Sequence, residues 1–96
     1  MMHSAIAVDK LDNVATALRN LEQGESIRID TGDNANEIAV KESIAQGFKI
    51  ALEDIGEGQS VIKYGEVIGL ATLNIAKGTC VHVHNIEGVK GRGDKS

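Results

Sequence analysis

The only cysteine and two of the three histidines fall on alternate positions of one short segment, Cys80-Val81-His82-Val83-His84-Asn85. Thiols and imidazoles bind borderline metals, and imidazole moves protons near neutral pH. In an extended strand successive side chains point to opposite faces. A strand here would put Cys80, His82 and His84 on one face and Val81 and Val83 on the other, toward a core. His-X-His lets two imidazoles reach one metal ion. Three alternate positions of one strand span too far to hold a single ion easily, so a full site would draw ligands from elsewhere or from another chain. A row of half-exposed polar side chains on an amphipathic strand has the same spacing, and no carboxylate adjoins it. Nothing in the sequence gives Cys80 a base, and it reads as a structural thiol.

Two lysines are the other candidates. In Val61-Ile62-Lys63-Tyr64-Gly65, alternation places Lys63 with Val61 and Tyr64 with Ile62. Lys63 could hold a substrate carboxylate, and a lysine snorkelling at a strand edge is the competing reading. Gly47-Phe48-Lys49 is a similar unit of turn then cation. Gly65 and Gly69 bracket Glu66-Val67-Ile68 and suggest a hairpin turn, with close backbone approach at Gly69. The sequence has no catalytic triad motif, phosphate loop or HExxH.

The elements that must position these groups are short. Ser4–Val8, Val14–Leu18, Ser26–Asp30 and Glu37–Lys41 read as strands. A short helix over Asn13–Leu21 is a minor alternative. Asp9–Asn13 carries turn chemistry. Thr31–Asn36 is polar, contains Gly, lacks apolar anchors and reads as the most mobile internal loop. Three segments repeat: Ala17–Ile27, Ala51–Val61 and Ala71–Val81. Each runs from Ala to an apolar plug (Leu21, Ile55, Ile75), then a Gly (24, 58, 78), then Ile or Val. The spacing predicts strand, tight corner, strand, with a 3₁₀ or α turn at each corner and a Gly with φ > 0. Offsets of 34 and 20 residues exclude a solenoid of fixed period. Eleven Gly, no Pro and many short strands predict an all-β domain.

Ninety-six residues make one small domain. One Tyr, one Phe and no Trp leave an aliphatic core and exclude binding of bases by aromatic stacking. The net charge of −4 argues against a nucleic-acid partner. A lone cysteine excludes an internal disulfide and fits a reducing compartment. Met1–Val8 lacks the basic start and long apolar run of a signal peptide, and no stretch is apolar enough to span a membrane. The expectation is a soluble cytoplasmic protein. Strand edges in so small a domain make a homodimer plausible.

Leu11-Asp12-Asn13-Val14-Ala15, Gly47-Phe48-Lys49-Ile50-Ala51-Leu52, Val61–Gly65, Ile68-Gly69 and Val81–Asn85 together resemble the amino-terminal domain of altronate dehydratases. That domain belongs to the SAF group and has a β-clip fold. The resemblance implies a small β-clip domain over residues 1–86, with 87–96 a flexible tail or linker stub. It implies a small subunit of a sugar-acid dehydratase, inactive without a large catalytic subunit. The expected reaction removes water from a sugar acid to give a 2-keto-3-deoxy acid, with divalent iron or manganese in the assembled enzyme. Carried over by position, His82 and His84 are the catalytic residues and metal ligands, with Cys80 a further ligand where the family commonly has a third His. Lys49, Lys63, Tyr64 and Asn85 are the substrate-binding residues. Phe48 stands where the family commonly has His. The small subunit of a sulfolactate sulfo-lyase, where sulfite leaves, shares two of these motifs and is the alternative. A carbohydrate-acid-binding or docking module without chemistry is a third reading.

Overall fold

The structure is a computed structural model that describes residues 4–31 and 34–88. Its strands are β1 (Ala5–Ile6), β2 (Val14–Ala17), β3 (Ser26–Thr31), β4 (Asn34–Ala39), β5 (Lys49–Ala51), β6 (Ser60–Lys63), β7 (Glu66–Ala71), β8 (Cys80–Val81) and β9 (Ile86–Gly88). The described residues contain no helix, so the all-β expectation holds and the helix alternative over Asn13–Leu21 gives way to β2. No helix among them is long and apolar enough to cross a membrane.

β1-β2-β5-β8 form a four-stranded sheet, β3-β4 a hairpin and β6-β7-β9 a three-stranded sheet. All pairings are antiparallel. The four-stranded sheet carries an apolar cluster on each face. Ala15, Ala17 and Ile50 join Leu21, Ile27, Ile29, Ile38, Val40 and Ile44 in one apolar cluster. Val14, Ala51 and Val81 join Ile55, Val61, Ala71 and Ile75 in the other. That is why β2 and β5 are almost continuously apolar rather than alternating with polar residues.

The corners explain how such short strands hold together. Leu21 and Ile44 exchange backbone hydrogen bonds at 2.8 and 2.9 Å, and Ile55 and Ile75 do so at 2.8 and 2.7 Å. The corner glycines then donate crosswise. Gly24 donates to Val40 O and Gly47 to Ala17 O; Gly58 donates to Ala71 O and Gly78 to Ala51 O. The three predicted corners are therefore four, because Val40–Ile50 is a further copy with plug Ile44 and Gly47. They form two reciprocal pairs. Gly58 and Gly78 both have φ near +90°, as the spacing predicts. Each corner closes on a single bond from residue i to i−3, such as Gln59 N to Gly56 O and Thr79 N to Ala76 O, and none forms a 3₁₀ or α helix. The side chain before the plug braces the facing corner: Asn20 accepts from Gln46 N, Asp54 from Lys77 N and Asn74 from Glu57 N.

Three expectations are corrected. Asn34, Ala35 and Asn36 are not loop but strand, paired with Thr31, Asp30 and Ile29, so only residues 32 and 33 separate β3 from β4, and these lie outside the described residues. Glu87 and Gly88 are not tail but part of β9, paired with Leu70 and Gly69. The rest of the expected tail, 89–96, lies outside the described residues. The segment Cys80–Asn85 is not one strand. β8 ends at Val81, and residues 82–85 form a turn in which Asn85 N and Ile86 N both donate to His82 O, at 3.0 and 3.2 Å.

Candidate functional site

The turn at 82–85 is imposed by its own asparagine. Asn85 is 6% exposed. Its Oδ1 accepts from His82 N at 2.9 Å and its Nδ2 donates to Cys80 O at 2.9 Å. A side-chain amide that satisfies both the donor and the acceptor of a passing backbone competes with strand pairing. Val81 stays fully buried, but Val83, expected on the core side, is 77% exposed. His84 is exposed in the same turn, while His82 is half-buried. The His82 ring stacks on Phe48, with centroids 4.0 Å apart and planes 21° from parallel. Its Nδ1 is buried with no hydrogen-bond partner among the described residues.

β5 and β8 place the next groups. Lys49 pairs with Thr16 on one side and Val81 on the other. Its side chain is half-buried. Burial pushes its ammonium down from the usual lysine range, the Lys63 charge adds to this, and Cys80 opposes it. Burial pushes the Cys80 thiol up, Glu42 pushes it further, and Lys49 opposes. The Glu42 carboxylate also accepts from Cys80 N at 2.8 Å. Cys80 is thus held as a thiol, in agreement with a structural role.

Lys63 closes β6. The β6–β7 register shifts between Val61 and Ile62, which pair with Gly69 and Val67 and leave Ile68 of β7 as the extra residue. The turn falls at Tyr64-Gly65, not after Gly65. Both residues have positive φ, 54° and 79°, the pattern of a tight two-residue hairpin turn. Lys63 Nζ lies 5.0 Å from the centre of the exposed Tyr64 ring, within cation–π range. Gly69 has the expected close approach: a Cβ there would lie 2.5 Å from Glu87 O.

Two residues behind the site were read from sequence only as turn formers. Asp12 is buried, and its carboxylate accepts from Val8 N, Asp9 N and Gly65 N at 2.7–3.1 Å. Burial raises its pKa, but the backbone donors, led by Gly65, outweigh this and leave it below the usual value. Asn13 grips β6: its Oδ1 accepts from Ile62 N and its Nδ2 donates to Ser60 O. Together they fix the Lys63–Tyr64 hairpin to the start of β2. The signal was present as adjacent Asp and Asn before an apolar strand, but the receiving segment lies 53 residues away.

Among the described residues no three His, Cys, Asp or Glu side chains converge on a metal position. The turn breaks the alternation that would line Cys80, His82 and His84 along one strand face, and it carries both histidines itself. The structure instead brings Lys63 and Cys80 each within electrostatic reach of Lys49, stacks His82 on the neighbouring Phe48, and commits Asn85 to the backbone.

Fold and site together define a small all-β module that carries lysine and imidazole groups on its central sheet and adjoining turns. Residues 3–89 match the family described as the altronate/galactarate dehydratase SAF domain, and the chain belongs to that family. It is 42% identical to the altronate dehydratase of Escherichia coli (strain K12) over 80 residues, which cover 83% of this chain and 15% of that protein. With the altronate dehydratase of Bacillus subtilis (strain 168) the identity is 43% over 84 residues, 88% of this chain and 16% of the relative. The chain therefore spans less than a fifth of these relatives. It is also 40% identical over 55 residues to (2R)-sulfolactate sulfo-lyase subunit alpha of Chromohalobacter salexigens, covering 57% of this chain and 58% of that subunit.

Proposed function

We propose that this chain is the SAF module of a sugar-acid dehydratase of altronate type, acting as a small subunit beside a large catalytic partner. The observation that carries the reading is the family match over residues 3–89, which includes every residue of the candidate site. A subunit role is supported by the relative that is itself named a subunit. The β-clip architecture and a cytoplasmic location belong to the same reading.

In the reaction a proton leaves the carbon next to the carboxylate, and the electron pair moves toward that carboxylate. The C–O bond on the following carbon breaks, and hydroxide departs with a proton as water. The enol then becomes the 2-keto-3-deoxy acid. His82 and His84 take the acid/base roles. Lys49 and Lys63 hold the carboxylate and offset charge that develops on it, and Tyr64 lines the approach. Asn85 is a positioning residue that sets the His turn. Iron or manganese, as a Lewis acid for the departing hydroxyl, belongs on this reading to the large partner.

The test is to combine the chain with the large subunit from the same source. Altronate, galactarate and (2R)-sulfolactate are then supplied separately. Formation of a 2-keto-3-deoxy acid from a sugar acid, dependent on both chains, is the expected result. Release of sulfite from sulfolactate would favour the sulfo-lyase reading, which the 40% identity supports. No turnover of any of the three, with sugar-acid binding by the chain alone, would replace both with a binding module.

A further inference from the structure

Thr16 is the one residue of β2 that is not wholly buried, yet its Oγ1 is buried and has no hydrogen-bond partner among the described residues. A buried hydroxyl left unpaired is costly, and folds rarely keep one without a use. Thr16 is the cross-strand partner of Lys49. Such partners share a face of the sheet, with Cβ atoms about 4.5–5.5 Å apart. Val14 and Ala51, one pair further along that face, are sealed in the apolar core. The Thr16–Lys49 pair thus sits where the core ends.

β6 is fixed to the start of β2 by Asn13, which bonds both Ser60 and Ile62. It ends in Lys63, whose charge bears on Lys49. Neither lysine belongs to the ion pairs found among the described residues, Arg19–Glu25 and Arg28–Asp30. Two ammonium groups that repel each other and a buried hydroxyl with nothing to donate to share one need. Each is relieved by an acceptor of negative charge.

We propose that Thr16, Lys49 and Lys63 form a ready-made site for one carboxylate group, with Thr16 Oγ1 and the two ammonium groups as its donors. The site needs no second chain, and it takes small hydroxy acids. It deepens the substrate reading above by adding Thr16, and rests on that reading only for which acid is used.

The test is titration of the full 96-residue chain with altronate, followed by NMR of backbone amides and lysine side chains. The expected result is saturable shifts at Thr16, Lys49 and Lys63. Thr16→Val, which keeps the shape and removes the hydroxyl, should weaken binding at least about tenfold, and Lys49→Met should abolish it. Without ligand, Thr16→Val should melt no lower than the parent, because it removes an unpaired buried group. Lys77→Met should bind as the parent does. Equal binding by Thr16→Val, or shifts spread evenly over Lys41 and Lys77, overturns the proposal, as does stronger binding of inorganic phosphate. The two readings can fail separately. Altronate turnover by the assembled enzyme with full binding by Thr16→Val sinks the carboxylate site alone. Hydroxyl-dependent binding of altronate without turnover of any sugar acid sinks the dehydratase reading and leaves the site.

Discussion

His82 and His84 differ in what surrounds them, and their variants should differ accordingly. Each change to Ala should lower turnover of the assembled enzyme at least tenfold, about 1.4 kcal/mol of barrier. His84 is exposed, so His84→Ala should leave the melting temperature unchanged. His82→Ala also loses the stack on Phe48, so it should cost about 0.5–1.5 kcal/mol of stability. Full turnover by either folded variant would remove that histidine from the chemistry. Asp12 gives a pH test. Its folded pKa is lowered, so the stability it contributes is complete above about pH 4 and is lost as pH falls through the folded value. Asp12→Asn should flatten the acid limb of the melting curve. It should also cost about 1–3 kcal/mol at neutral pH, since one oxygen cannot serve all three backbone donors. An unchanged acid limb would refute the assignment. At this scale the sequence was a partial guide. The residue types at 49, 63 and 82 picked out the candidate groups, but His-Val-His looks like a strand until Asn85 turns its amide onto the backbone, and nothing local announces that choice.

The corners were the most legible elements, because plug and glycine sit at fixed local spacing. What stayed hidden was the fourth copy. It begins with Val40 where the others begin with Ala, and Ser43 precedes its plug where the others have Asn or Asp. Which copies pair was also hidden, since the pairing joins residues as far apart as Leu21 and Ile44. The glycines of one pair should respond unequally. At Gly58 the positive φ is the only obstacle to a side chain, because a Cβ would meet nothing within 4 Å. Gly58→Ala should cost about 1–2 kcal/mol. At Gly78 a Cβ would also collide with the backbone oxygen of Ala39, which cannot swing aside as a side chain can. Gly78→Ala should cost more than about 3 kcal/mol or prevent folding. Equal melting temperatures for the two variants would show that the Ala39 contact yields freely.

For the molecule as a whole, the absence of proline sets the folding kinetics. The central sheet joins β2 to β5 and β5 to β8 across long stretches of chain, and such pairing is slow to close. Refolding should take milliseconds to seconds, in one phase. The phase of roughly 10–100 s that proline isomerisation gives should be missing, as there is no X-Pro bond to isomerise. Stopped-flow refolding that shows such a phase would point to mispaired corners instead. The division into two apolar clusters was beyond the sequence, because an Ala or Val in β2 or β5 fits either face until the third dimension assigns it. The crosswise glycine bonds carry one more consequence. Each corner completes its turn with a carbonyl borrowed from its counterpart, so neither is a self-sufficient module. Lengthening or deleting one would strand the other's amide. The chain can be edited, or can drift over generations, only two corners at a time, and substitutions at one should be tolerated or rejected according to what already stands at its mate.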